Sequence, residues 1–197
     1  VTSGHIDRQP QDSPDGALIA FTRRDGLRAD IWIMADDGGD AIALTQAPGS
    51  HTLPKWSPDG SRIVFTSSRN GQTEIYTMKV DGTNPTRLTD DPRSDTMPAW
   101  SPDGERIVWA AERAGGGTPN FEIFTMKVDG TDIQQLTTND ALDFSADRSP
   151  GGGSIVFSSD RDGAQEMTIY KMRADGSRKQ LLADRPGVGI TGDDTAG

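Results

Sequence analysis

Four residues of this 197-residue chain stand at matching places and carry groups able to hold a ligand: Asp7, His51, Asp95 and Asp143. Each lies six residues before a Ser-Pro pair, at Ser13, Ser57, Ser101 and Ser149. If one structural unit recurs with that spacing, the four side chains are expected to ring one mouth. Carboxylates brought together there repel unless a cation or water stands between them. Oxygen donors of this type suit a hard cation such as Ca²⁺, which makes Asp7, Asp95 and Asp143 candidate metal ligands. A solvated polar funnel is the other reading of the same residues. His51 reads as a hydrogen-bonding group rather than a transition-metal ligand, because the only other histidine is His5 near the start.

The remaining chemistry-bearing patterns point to turns. Asp59-Gly60, Asp81-Gly82, Asp103-Gly104 and Asp129-Gly130 lack the Asp-x-Asp-x-Asp-Gly spacing and the following bidentate Glu of a calcium loop. There is no Gly-x-Ser-x-Gly elbow and no His-Glu-x-x-His pair. The chain has no cysteine and two histidines, which excludes a Cys/His pair and leaves little room for a serine triad. Gly115-Gly116-Gly117 and Gly151-Gly152-Gly153 lack the spacing of a phosphate-binding loop. No catalytic residue is assigned, and the chain is not expected to be an enzyme.

The elements that would position the four residues are legible as a repeat. Ser-Pro-Asp-Gly begins at Ser13, Ser57 and Ser101 and recurs as Ser-Pro-Gly-Gly at Ser149, with spacings of 44, 44 and 48 residues. After each comes a short apolar strand, as in Arg62-Ile63-Val64-Phe65-Thr66. A second strand ends in methionine, at Met34, Met78, Met126 and Met172, and an Asp-Gly turn and a Leu-Thr strand follow in the clearest copies. Pro presets φ in the Ser-Pro turn, and alternation sends Tyr76 and Met78 to one face of their strand and Ile75 and Thr77 to the other. With the segment leading into Trp56 each unit has four antiparallel strands. A period in the forties with several short strands per unit is the signature of a β-propeller blade. The expected fold is therefore all-β, a single propeller array over 1–197, with blades near 5–45, 49–89, 93–137 and 141–183 and a tail at 184–197. Blade three is expected to carry a loop insertion, Ala114 to Pro119, and blade four a smaller one near Ala164 and Gln165. The aromatic and methionine positions read as packing between blades.

The string Pro-x-Trp-Ser-Pro-Asp-Gly-x-x-Ile-x-Phe, followed by Asp-Gly and Leu-Thr, resembles the WD40-like PD40 repeat of the TolB family and covers nearly the whole chain. Similar blades occur in tricorn-like and prolyl-oligopeptidase-like proteases and in some polysaccharide lyases. The resemblance implies a non-enzymatic propeller that binds a protein or peptide at a funnel face, periplasmic or secreted in bacteria; a self-assembling scaffold whose main property is ring closure is a further reading. The alternative it implies is an enzyme-associated propeller, either a peptidase gating domain or a remnant of a lyase-like carbohydrate enzyme.

Charge and composition narrow the partners. A net charge of −10 disfavours nucleic acid and anionic membrane surfaces, and no apolar run approaches the ~20 residues of a membrane-spanning helix. The chain starts at Val1 rather than Met, as expected of a mature form or a piece of a longer chain. Four blades closing alone would need about 90° each, steep for sheets that pack near 30°. A half-ring would leave two apolar blade faces open. Two chains forming an eight-bladed ring resolve this, and a homodimer is the expected state. At the ends of the array, Asp12 and Arg148 stand where Trp56 and Trp100 precede the turn in the middle copies, and are a candidate pair across the seam.

Overall fold

Each Ser-Pro turn is a small hydrogen-bonded unit that launches the strand after it. Ser57 Oγ donates to Asp59 Oδ1 at 2.6 Å and accepts from the Arg62 amide at 2.9 Å, while the Gly60 amide donates to the Ser57 carbonyl at 2.9 Å. Gly60 sits at φ 69°, a left-handed conformation that glycine adopts without strain. The same bonds recur at Ser13 and Ser101. At Ser149 the Asp is lost, yet the Gly152 amide still closes the turn on the Ser149 carbonyl. The backbone geometry therefore survives the sequence change.

The computed structural model describes residues 4–115, 118–161 and 166–182. Among these described residues, sixteen strands form four antiparallel meanders. Blade one holds β1 (His5–Asp12), β2 (Leu18–Asp25), β3 (Arg28–Ala35) and β4 (Ile42–Ala43). Blade two holds β5 (His51–Trp56), β6 (Arg62–Asn70), β7 (Gln72–Lys79) and β8 (Thr86–Arg87). Blade three holds β9 (Asp95–Trp100), β10 (Arg106–Gly115), β11 (Thr118–Lys127) and β12 (Gln134–Gln135). Blade four holds β13 (Asp143–Arg148), β14 (Ser154–Ser159), β15 (Thr168–Arg173) and β16 (Gln180–Leu181). No helix occurs among the described residues. The expected loop insertion of blade three is instead an extension of its central hairpin: Ala114 pairs with Pro119 and Gly115 with Thr118. Ala164, Gln165 and the tail lie outside the described residues.

Blades pack in chain order, and each joint sets a large face on a small one. Blade two turns Trp56, Ile63, Phe65, Tyr76 and Met78 toward Ala20, Ile31 and Ile33 of blade one. Its opposite face, with Val64 and Ile75, meets Trp100, Ile107, Trp109, Phe124 and Met126 of blade three. Val108, Ala110 and Ile123 of blade three meet Ile155, Phe157, Tyr170 and Met172 of blade four. Strand alternation produces this division, because successive side chains point to opposite faces. Blades one and four share no contact, so among the described residues the array is an open arc.

Candidate functional site

The four residues singled out by spacing open or lie in the innermost strands, but they do not converge. Asp7 on β1 is bound by Arg23, whose Nε and Nη2 donate to its two carboxylate oxygens at 2.8 and 2.7 Å. That hydrogen bond holds the Asp7 carboxyl below the usual range. His51 is fully buried, with Nε2 3.1 Å from the Ala47 carbonyl and Nδ1 3.0 Å from Ser67 Oγ. A carbonyl only accepts, so Nε2 carries the proton and Nδ1 accepts from Ser67. Burial pushes the pKa of His51 down, which keeps the ring neutral. Asp143 is fully buried and takes Arg161 Nη2 on both oxygens at 3.0 and 2.9 Å, with Asn139 Nδ2 at 2.9 Å. Asp95 is 2% exposed, its Oδ1 has no hydrogen-bond partner, and burial pushes its pKa to about 6. The nearby Glu74 charge adds to the rise; Thr89, Trp109 and Arg113 oppose it.

The expected acidic ring is therefore replaced by a latch in each blade. Arg23, Arg69, Arg113 and Arg161 lie over Trp32, Tyr76, Phe124 and Tyr170 at 4.7, 4.6, 4.1 and 4.7 Å from the ring centres. Each guanidinium caps the large face of its blade. The threonine of Leu-Thr adds the second half: Thr45 and Thr89 donate to Asp30 and Glu74 on the preceding strand, at 2.9 and 2.7 Å. Charges buried this way need such partners. Among the described residues no three His, Asp or Glu side chains gather as a metal site. Within this chain Asp12 and Arg148 are not paired: Arg148 turns into the joint with blade three, its Nη2 3.4 Å from Thr125 Oγ1, while Asp12 is exposed on β1.

A different set of residues is brought together. Gln9, Leu53, Met97 and Ser145 all have positive φ, 52° to 58°, at one equivalent place in each innermost strand. The pairing register slips there, between Arg8 and Gln11 in blade one and between Thr52 and Lys55 in blade two. This is a repeated β-bulge, and non-glycine residues at positive φ are uncommon enough to mark a site. The innermost strands β1, β5, β9 and β13 touch in series. At their bulges, Leu53, Lys55, Met97, Ala99, Ser145 and Asp147 border a cleft of about 220 Å³. Hydrogen bonds cross the blades here: Leu53 N donates to Gln9 Oε1 at 3.2 Å, and Lys55 Nζ to Gln11 Oε1 at 2.9 Å. Lys55 and Asp147 place opposite charges on two sides of an apolar floor.

A larger groove of about 850 Å³ lies between blades two and three over Leu88, Trp100 and Val128. Its acids Asp59, Asp103 and Asp129 are committed to their own turns by Ser57, Ser101 and Thr131. A matching groove over Trp56 and Val80 separates blades one and two. That groove belongs to the repeating framework. The bulge residues differ in all four copies, Gln, Leu, Met and Ser, as do Gln11, Lys55, Ala99 and Asp147 two positions on. The bulge residues lie two residues beyond the polar positions Asp7, His51, Asp95 and Asp143 that the spacing points to. The disagreement among copies was the signal available.

Residues 26–149 match the sequence model of the tricorn protease N-terminal β-propeller domain. The Tol-Pal system protein TolB of Anaeromyxobacter dehalogenans (strain 2CP-1) is 46% identical over 44 residues, 22% of this chain and 10% of that protein. Among solved structures, a putative TolB from Agrobacterium tumefaciens superposes with a TM-score of 0.79 at 27% identity, covering 89% of this chain and 65% of that one. TolB from Acinetobacter baumannii gives 0.71 at 24% identity, covering 87% of this chain and 41% of that one, a likeness of fold. The chain thus spans less than two thirds of these relatives.

Proposed function

The chain belongs to the tricorn protease N-terminal β-propeller domain family, and from that premise we propose that it is a non-enzymatic, TolB-like binding propeller. It takes a protein or peptide segment in the cleft between the bulged innermost strands. The compartment proposed is the bacterial periplasm or the exterior, and two copies are proposed to close an eight-bladed ring.

The observation that carries this reading is the set Gln9, Leu53, Met97 and Ser145. A repeated framework holds four residues in one strained conformation and gives each a different side chain. Positive φ also recurs at Asn84, Asp132 and Arg178 in the outer turns, but Leu53, Met97 and Ser145 of the bulge set border a cleft, and strained non-glycine residues cluster at ligand sites. The chemistry around them fits a peptide: apolar Leu53 and Met97, the Lys55 cation for a carboxylate, and the Asp147 carboxylate for an ammonium or amide.

A photo-crosslinking amino acid at position 97, in bacteria producing the chain, tests the reading. The expected result is a discrete protein adduct that is lost with Lys55→Glu and absent when the probe is at the fully exposed Leu27. Equal adducts from positions 97 and 27 would contradict it. The family's description favours one second reading, a propeller that filters peptides for a peptidase. It predicts binding of extended peptides of many sequences at position 97 rather than one discrete adduct.

A further inference from the structure

The three joints between blades carry one polar position in common and satisfy it differently. Where the innermost strands begin, His51, Asp95 and Asp143 pair across the ladder with Ser67, Ala111 and Ser159. In blades two and four the serine anchors the capping arginine: Ser67 Oγ accepts from Arg69 Nε at 3.0 Å, and Ser159 Oγ from Arg161 Nε at 2.9 Å. Anchored in this way, Arg161 turns Nη2 onto Asp143. Ala111 has no hydroxyl to offer. Arg113 reaches instead to the Glu112 carbonyl at 2.6 Å and to Asp91 at 3.6 Å. Asp95 is therefore buried without the arginine bond that Asp143 has.

The groups around Asp95 do not replace that bond. Glu74 on β7, held by Arg87 and Thr89, adds a like charge. Thr89 and, on β10, Trp109 and Arg113 favour the ionised form, yet Oδ1 stays unpartnered. Asp90 and Asp91 stand behind, paired with Arg87 and Arg113. Among the described residues five buried side-chain atoms lack a hydrogen-bond partner. Three of them, Thr66 Oγ1, Asp95 Oδ1 and Trp109 Nε1, belong to the joint of blades two and three. Asn120 Oδ1 and Arg148 Nε belong to blades three and four, on side chains bonded through their other atoms. A buried charge without full compensation favours any motion that lets water reach it.

The cleft floor spans this same joint, with Leu53 and Lys55 on blade two and Met97 and Ala99 on blade three. Met97 and Pro98 fall in the register slip of β9, directly after the pairs Asp95–Ala111 and Thr96–Ala110. A bulge bends its strand, so movement at Asp95 carries to Met97. We propose that the joint of blades two and three opens to water because of Asp95, and that this opening draws Met97 away from Leu53 and widens the cleft. The opening stands on the contacts of the joint; its bearing on a partner rests on the reading of the cleft as a binding site.

The chain has no cysteine, so one introduced thiol can report on each joint. Thr22, Thr66 and Ala110 are buried, hold equivalent places opposite Ile31, Ile75 and Ile123, and lie one at each joint. Thr22→Cys, Thr66→Cys and Ala110→Cys are labelled with a chromogenic disulfide reagent at pH 7.5, each rate corrected by that of a free thiol. Thr66→Cys is expected to react at least roughly tenfold faster than the other two. Adding Asp95→Asn or Ala111→Ser should slow it to their level, and so should pH 5, below the Asp95 pKa of about 6. Equal rates at the three positions, or a Thr66→Cys rate unmoved by Asp95→Asn, would overturn the proposal. A rate that climbs steeply in dilute urea, the mark of global unfolding, would overturn it too. Fast labelling that Asp95→Asn slows, with no crosslink from position 97, would support the weak joint and overturn the peptide reading of the cleft.

Discussion

Blade two and blade one have the same strand order and, as far as Arg23 and Ser67, the same register, yet one has both faces covered and the other has one. Tyr76 in blade two is 4% exposed beneath blade one's small residues, while its equivalent in blade one, Trp32, stays partly open. Gly82 shows the same contrast. A Cβ there would lie 2.9 Å from the Leu44 carbonyl oxygen, whereas at Gly38, the equivalent in blade one, nothing lies within 4 Å. Both have φ near 80°. The local backbone is thus set by the repeat, while the penalty for changing it is set by whether a blade sits on top.

The largest difference should appear in the core. Phe65→Ala, fully buried in blade two's large face, should cost about 3–5 kcal/mol in denaturant melts. Trp32→Ala should cost about 1 kcal/mol in dilute protein, where no second copy covers it. Equal losses would remove the distinction between covered and open faces.

Asp95 gives the next effect. Its folded pKa near 6 lies above the unfolded 3.8, so the folded state binds the extra proton between those values. Stability attributable to this group is therefore full at low pH and falls as pH rises through about 4 to 6. Asp95→Asn should stabilise the protein by up to about 3 kcal/mol at pH 7.5, with the gain gone near pH 3.5. A gain independent of pH would show that packing, not charge, is involved.

The glycine pair should separate more finely. Gly38→Ala should cost about 1 kcal/mol from positive φ alone, and Gly82→Ala about 2 kcal/mol or more because the Leu44 carbonyl must also move. The smallest stability effect is expected at the cleft. Lys55→Ala gives up one side-chain hydrogen bond to Gln11 and should shift the melt by about 0.5 kcal/mol, while abolishing the crosslink from position 97.

The fold was legible because its determinants are local. Ser-Pro-Asp-Gly, the Met strand and Asp-Gly each encode a turn or an alternation, and together they gave four blades of four strands. Even the faces of Tyr76 and Met78 follow from alternation. What sequence did not reveal came from contacts between blades. Asp143 and Asp95 read as channel groups, but Arg161 and the joint with blade two take them out of water. The blade-three loop read from its glycines is paired backbone as far as Gly115 and Thr118. The bulge at Gln9, Leu53, Met97 and Ser145 carries no glycine, so its positive φ left no mark in residue type.

The mass of the protein in solution tests most directly whether two copies associate as proposed. Light scattering over a range of concentrations should give twice 21.1 kDa, falling to 21.1 kDa on dilution and with Trp32→Glu. A mass of 21.1 kDa at every concentration would contradict the account.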